Sequence, residues 1–216
     1  MARRLATVDL CAARARLRLH RPADAAEAFL LLDGQDEILR WLLWEGPSSP
    51  RELAEYYRHG NAYDGGPDLR FAIEDRSSGA LAGSLSLRFG GHPGRGDVGY
   101  WIGLPFQGQG LGREALALAA HLAFRHLSAQ ALEAWVFVGN LASRAVLEHA
   151  GFTLGRTVPG RVAKRGRRID EWQFVLSLGD WRRLRADFQP ERETVEWADE
   201  GGADELELPL RPFSTG

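Results

Sequence analysis

Three glycines at alternate positions, Gly108, Gly110 and Gly112, sit between two apolar segments. Before them runs Val98-Gly99-Tyr100-Trp101-Ile102-Gly103-Leu104, closed by Pro105. After them comes Arg113-Glu114 and a run dominated by alanine and leucine. The order strand, glycine turn, helix start is an anion cradle. Glycine lets backbone N–H groups approach a ligand closely, and the first helical N–H groups have no partner within the helix. The helix dipole adds partial positive charge at that end, so a phosphate or pyrophosphate is the natural guest.

Two common phosphate motifs fail on spacing. A nucleotide triphosphatase loop requires Lys and Ser/Thr after its last glycine, and here Arg113-Glu114 follows Gly112. A dinucleotide fingerprint requires a sixth-position glycine, and counting from Gly108 that position is Arg113. No metal cluster is expected either. His121 and His126 are five residues apart on one predicted helix and do not share a face well, and His20, His59 and His92 fall in or beside loops. The metal expectation is therefore none.

The spacing that is met is Gln-x-x-Gly-x-Gly, by Gln107, Gly110 and Gly112. It resembles the acetyl-coenzyme A pyrophosphate loop of the GNAT N-acetyltransferase superfamily. A second block, Asn140 to Phe152, resembles the Asn-x-x-Ser-x-x-Val-Leu-Glu-Lys-x-Gly-Phe pattern of the branch containing the ribosomal-protein N-terminal acetyltransferases, with His149 where that branch has lysine. Gly99-Tyr100-Trp101 suits the same branch. The resemblance covers roughly residues 14–178 and is weakest before residue 70. It implies an α/β fold: a mixed, mostly antiparallel sheet flanked by helices, with splayed central strands. It implies acetyl-CoA as acetyl donor, held by Ile102, Gly103, Leu104, Gln107, Gln109, Gly110, Leu111, Gly112, Arg113, Asn140 and Ser143. A backbone N–H between Ile102 and Leu104 would polarise the thioester carbonyl.

Acetyl transfer to an amine needs a neutral amine, a polarised carbonyl and a proton for the leaving sulfur. Asp97 precedes the Gly-Tyr-Trp segment, where the branch commonly carries Glu, and is the candidate base through a bridging water. Asp170 and Glu171 are further candidates. Ser143 stands where many relatives place an acidic tyrosine, and is the candidate hydrogen-bond donor to the sulfur. It also suits the third position of a capped helix. The acceptor is a primary amine. A protein N-terminus follows from the branch, with an aminoglycoside, polyamine or amino-acid derivative as the alternative. A quiet CoA-binding module and a scaffold using its tail are readings of other classes.

Elements that must position these groups are legible as patterns. Arg16–His20 alternates as a strand; Pro22–Leu32 and Glu37–Trp44 read as helices. Ser49-Pro50-Arg51-Glu52 opens a third helix, with Ser as N-cap and Glu three residues on. Gly60–Pro67 reads as a loop. A hairpin joins 71–74 to 81–87, strands are expected at 97–104 and 132–138, helices at 112–127 and 141–150, and closing strands near 152–157 and 169–177. Asn140 is a good N-cap and Gly151 a good stop. Trp41, Trp44, Tyr56, Tyr57 and Tyr63 lie where relatives cover the acceptor pocket. Lys164, Arg165, Arg167 and Arg168 form a basic hairpin tip, read as a solvated turn or an RNA or CoA-phosphate contact.

The chain has 216 residues, 44% hydrophobic and 26% charged, and a net charge of −2. That suits one acetyltransferase domain over 1–180 with an acidic extension over 181–216. Near-neutral charge disfavours nucleic acid as a partner. A single cysteine, Cys11, excludes a disulfide framework within the chain. With no long apolar run, a membrane partner is not expected and a cytoplasmic location is the default. In the extension, Leu206, Leu208 and Leu210 alternate. They suggest either a solvated arm or an edge strand, paired in this chain or across a homodimer.

Overall fold

A computed structural model describes residues 3–58, 68–184 and 188–199. Nine strands form one sheet in the order β7-β8-β6-β5-β4-β3-β2-β1-β9. They are β1 (Arg3–Cys11), β2 (Ala15–Leu19), β3 (Asp68–Asp75), β4 (Leu81–Phe89), β5 (Arg95–Ile102), β6 (Ala131–Phe137), β7 (Thr153–Lys164), β8 (Arg167–Ser177) and β9 (Arg192–Asp199). The β5–β6 pair is parallel and the others are antiparallel, because α4 (Leu111–His126) crosses over between those two strands. The expected mixed sheet is therefore present.

Helix α4 packs on one face of the sheet. Leu116, Leu118, Ala119, Leu122 and Ala123 are buried against Leu17, Leu69, Phe71, Leu85, Val98 and Leu132. The opposite face carries α1 (Asp24–Leu32) and α3 (Pro50–Arg58) around Ala72, Leu81 and Trp101. Both α3 and α5 (Leu141–His149) start as their sequences predict. The Glu52 amide donates to Ser49 Oγ at 3.2 Å, and the Ser143 amide to Asn140 Oδ1 at 3.2 Å. Gly151, at φ +97°, takes the left-handed conformation that ends α5.

Three expectations change. The helix expected over 37–44 is only α2 (Asp36–Leu39). Beyond it Leu42 turns back onto the Leu32–Ile38–Leu39 cluster, and the Trp44 carbonyl accepts from Lys164 Nζ at 3.1 Å. The basic tip of the β7–β8 hairpin is thus solvated only in part: Lys164 is buried, while Arg165, Arg167 and Arg168 are exposed. Arg165 pairs with Glu45 at 2.8 Å and Asp36 at 3.1 Å, docking the hairpin on the α2 loop. Two strands also went unread. In β1 a register shift between Leu5 and Thr7 breaks the alternation that would have marked it. Strand β9, inside the acidic stretch, pairs with β1 and packs Val195 and Trp197 against the core. The Leu206–Leu210 alternation and the Gly60–Pro67 loop lie outside the described residues.

On the α1 side of the sheet, a polar network ties β2 to α1. Arg18 holds Asp24 through two bonds of 2.8 and 2.9 Å and Glu74 through a third of 2.8 Å. Tyr57 stacks on His20, with ring centroids 3.7 Å apart and planes 4° apart. His20 Nδ1 lies 3.3 Å from Asp24 and Nε2 2.9 Å from Ser84 Oγ. That pattern suits a neutral imidazole donating to Asp24 and accepting from the serine. Burial pushes His20 below its ordinary value despite the Asp24 bond. Burial by itself would raise the Asp24 carboxyl. Hydrogen bonds from His20, Arg18 and the Arg21 amide outweigh it and hold Asp24 well below the usual carboxylate range.

Both shifts have the same consequence for acid stability. Unfolded, His20 takes a proton below about pH 6.5, which the folded site refuses, so stability is lost as pH falls through that value. The Asp24 contribution is present above about pH 4 and is lost as pH falls further, toward its folded value. Melting temperature should therefore be level from pH 8 to 7, decline below 6.5, and fall again below 4. His20→Gln should remove the first decline. A wild-type melting temperature constant between pH 7 and 5.5 would mean that this site accepts a charged imidazole.

Candidate active site

Pairing of β5 with β6 covers only Arg95, Gly96 and Asp97 against Ala131, Leu132 and Glu133. From Val98 onward the two strands separate and leave a cleft at the carboxyl end of β5. Val98, Tyr100 and Ile102 face the α4 side. By strand alternation Asp97, Gly99 and Trp101 face the other, and Trp101 packs there with Leu39, Leu42 and Leu104.

Backbone directions in β5 follow from one bond. The Gly103 amide donates to the Ala82 carbonyl at 2.8 Å, on the β4 side. Alternation in an antiparallel ladder then turns the N–H and C=O of Ile102 toward β6, where the ladder has already ended. The Ile102 carbonyl is taken by Gln107 Nε2 at 2.9 Å. Its N–H points into the cleft. Of the three residues from Ile102 to Leu104, Gly103 has its amide engaged by β4, and Ile102 is the one whose amide the strand alternation turns toward β6. Gly103 has a packing reason to be glycine: a Cβ would come within 2.9 Å of Leu31.

A short 3₁₀ turn over Leu104–Phe106 leads into the glycine loop. Gly108 and Gly110 have φ +71° and +85°, the left-handed region, and Gly110 is the N-cap of α4. A Cβ at Gly108 would meet nothing within 4 Å, so these glycines are required by backbone angle and not by crowding. No described residue accepts a hydrogen bond from the amides of Gly108 through Arg113. Six consecutive donors without a protein acceptor thus lie in the turn and first residues of a helix N-terminus, a place that favours an anion. The side chains of the loop brace it. Gln109 donates to the Pro105 carbonyl at 2.8 Å and accepts from Arg14 at 2.9 Å. Glu114 accepts from the Arg14 and Ala15 amides, both at 2.8 Å, and so ties the loop to the start of β2. Sequence spacing did not reveal that brace.

Across the cleft, Asn140 caps α5 and presents Ser143. Tyr100 Oη lies 3.2 Å from Ser143 Oγ. Burial pushes the Tyr100 phenol up to about 12, with the Ser143 bond working against the shift. Tyr100 therefore keeps its proton throughout the neutral range. Sequence reasoning had singled out Ser143 and used Tyr100 only as part of a motif. The one available signal was that a tyrosine on the α4-facing alternation of β5 must put its hydroxyl somewhere buried.

Asp97 is not brought to this cluster. It sits at the closed end of the cleft, opposite Glu133 in the ladder and ion-paired with Arg88. Ile102 is five residues further on, about 16 Å along the strand. A proton path from the mouth of the cleft to Asp97 would run through a chain of waters and not through a single one. Glu133 pairs with Arg95 and accepts from Gln173 at 2.8 Å. Glu171, buried on β8, pairs with Arg161, whose guanidinium stacks 3.6 Å from the Trp135 ring centroid. Asp170 accepts from the Gly160 amide at 2.7 Å. Of the aromatic residues expected near an acceptor pocket, Tyr57 is buried against His20, Trp44 and Tyr56 are exposed, and Tyr63 lies outside the described residues.

Residues 14–153 match the acetyltransferase (GNAT) domain family. The provisionally named ribosomal N-acetyltransferase YdaF of Bacillus subtilis (strain 168) is 33% identical over 147 residues, covering 63% of this chain and 76% of that protein. The fold is similar to a crystal structure of a GCN5-related N-acetyltransferase from Brucella melitensis, with TM-score 0.71, 23% identity and 82% of each chain covered. It is also similar to Mycobacterium smegmatis RimJ in complex with CoA-disulfide, with TM-score 0.66, 23% identity, and 82% and 88% of the two chains covered. No helix among the described residues is long and apolar enough to cross a membrane.

Proposed function

Because the chain belongs to the GNAT acetyltransferase family and takes its acetyl group from acetyl-CoA, we propose that it acetylates the α-amine at a protein N-terminus, in the cleft between β5 and β6. Acetyl-CoA brings an activated thioester and a thiol leaving group. The amides of Gly108 through Arg113 hold its anionic part, Leu111 and Gly112 supplying the first free donors of α4. Asn140 and Ser143 border the cleft from α5. The Ile102 N–H is the donor for a carbonyl oxygen. Tyr100 Oη, set by Ser143, holds a proton that it can give toward a leaving sulfur.

One observation favours an α-amine over an alkyl amine. Asp97, Glu133 and Glu171, the carboxylates on this face of the sheet beside the cleft, each already accept from an arginine. None is a free proton acceptor, and none offers spare negative charge to a polycation. An α-amine, with a pKa of about 7.7–8.0, is roughly 10–17% neutral at pH 7 without help, whereas an alkyl ammonium near 10.4 is about 0.04% neutral. A site whose acids are occupied suits the first acceptor and not the second. The α-amine then reaches its neutral form by losing its proton to water, with no carboxylate of the cleft acting as base. The relative named as a ribosomal N-acetyltransferase supports the same reading.

The test is a comparison of initial rates, followed by release of free thiol. Lysine-free peptides with an unblocked N-terminus should be at least about tenfold better substrates than spermidine or an aminoglycoside. Their kcat/KM should climb with pH until about 8, tracking the acceptor's own α-amine. Preference for spermidine, or a level pH profile with peptides, would overturn the proposal.

A further inference from the structure

The two histidines of α4 do meet. His126 is the last residue of the helix, where the chain turns away, so the five-residue spacing does not separate the rings. Their centroids are 6.1 Å apart. Glu193, on β9 and paired with Leu10 in the β1 ladder, reaches both: its Oε1 is 3.0 Å from His121 Nε2 and 2.5 Å from His126 Nε2. One ligand atom from each of the three lies within 4.8 Å of the others.

The geometry points to a divalent transition-metal site formed by His121 Nε2, His126 Nε2 and a Glu193 oxygen, with zinc as the fitting ion. Two imidazoles and one carboxylate are a borderline-soft donor set of the kind zinc takes with three protein ligands and one water. Zinc holds such donors at about 2.0–2.2 Å, which in a tetrahedron sets them about 3.4 Å apart. The carboxylate oxygen must move out from the two nitrogens by an ångström or less, and the nitrogens, within 4.8 Å of each other, must reach the same spacing; His126 and Glu193 are only partly buried and can make that adjustment. His121 is seated by Trp181 and Phe188, whose rings stand edge-on at 6.1 and 6.0 Å. Its Nδ1 has no partner among the described residues. Such outer partners contribute about 10–100-fold in affinity, so micromolar binding is expected and not nanomolar.

The site joins the edge strand β9 to the far end of the helix whose N-terminus forms the glycine cradle. A metal there stabilises the docking of β9, remote from the acetyl-transfer cleft. This is distinct from the function proposed above.

Chelator-stripped full chain should bind one zinc ion from zinc chloride by calorimetry, with a dissociation constant in the micromolar range. At 100 µM zinc its melting temperature should rise by about 5 °C. Cobalt chloride should give the visible absorption of a tetrahedral site. His126→Ala and Glu193→Gln, both at partly exposed positions, should fold normally by circular dichroism and weaken binding at least tenfold. His92→Ala, on a surface loop, should bind like wild type. Absence of binding to the wild type at 100 µM zinc would overturn the assignment, as would wild-type affinity in the His126 and Glu193 variants.

Discussion

Replacing Gly110 with aspartate is expected to lower affinity for coenzyme A by roughly a thousandfold while leaving the fold intact. Three effects act together. Gly110 holds φ +85°, where a Cβ costs about 1–2 kcal/mol. Its missing Cβ faces open space, with the Arg113 guanidinium 4.0 Å away as the nearest group, so a carboxylate would pair with the cation closest to the cradle. It would also face the phosphates: two like charges about 4 Å apart at an effective dielectric near 20 repel by about 4 kcal/mol. Since every 1.4 kcal/mol is tenfold, the charge effect alone accounts for the expected loss. Gly110→Asn separates charge from backbone. Asparagine tolerates the left-handed region and adds no charge, so it should cost less than about tenfold. Calorimetry with coenzyme A reads both. Equal losses in the two variants would assign the effect to backbone shape, and unchanged affinity in the aspartate variant would remove the pyrophosphate from this loop.

Tyr100→Phe should lower kcat by about a hundredfold with coenzyme A affinity unchanged within twofold. The ring packs within the core beside Gly112, and phenylalanine preserves that contact. What disappears is the hydroxyl 3.2 Å from Ser143 Oγ, the protonated group at the open end of the cleft. Loss of a positioned general acid typically costs about 10²–10⁴-fold, and the lower figure suits a leaving thiolate, which departs readily. Ser143→Ala leaves the phenol in place without its guide and should cost about tenfold or less, as for one hydrogen bond. The pH profile gives an independent reading. An acid pushed up to about 12 stays protonated far above neutrality, so the wild-type rate should show no alkaline fall below pH 10. A variant with wild-type kcat would return Tyr100 to packing alone. A fall in rate near pH 8.5 would name a different acid.

The two effects differ in how far ahead they could be read. The Gly110 effect follows from nine contiguous residues, 105 to 113. Alternating glycines, a preceding proline and a following helix former mean the same thing in any surrounding, because φ angles and unpartnered helix amides are local properties. Asn140 with Gly151 is legible in the same way, as a cap and a stop with ten residues between them. Strand β1 was lost because its bulge after Leu5 breaks the period of two, and β9 because its inward residues, Val195 and Trp197, are spaced among acids. The 37–44 segment was misjudged because an apolar run has no preferred face until a neighbour supplies one. That neighbour is Lys164 on a hairpin 120 residues away.

From the sequence alone came the order of elements, the family resemblance, the anion cradle and the capped helix beside it. Each rests on periodicity, turn residues or caps, whose energies depend on neighbours within a few positions. The tertiary structure decided which side chains meet. Tyr100 finds Ser143 across 43 residues, and His121 finds Glu193 across 72. Arg88 holds Asp97 at the closed end of a cleft that exists only because β5 leaves β6 after three paired residues. Such meetings depend on sheet order, register and splay. Those are set by the summed packing of α4 and nine strands, and no local pattern encodes them.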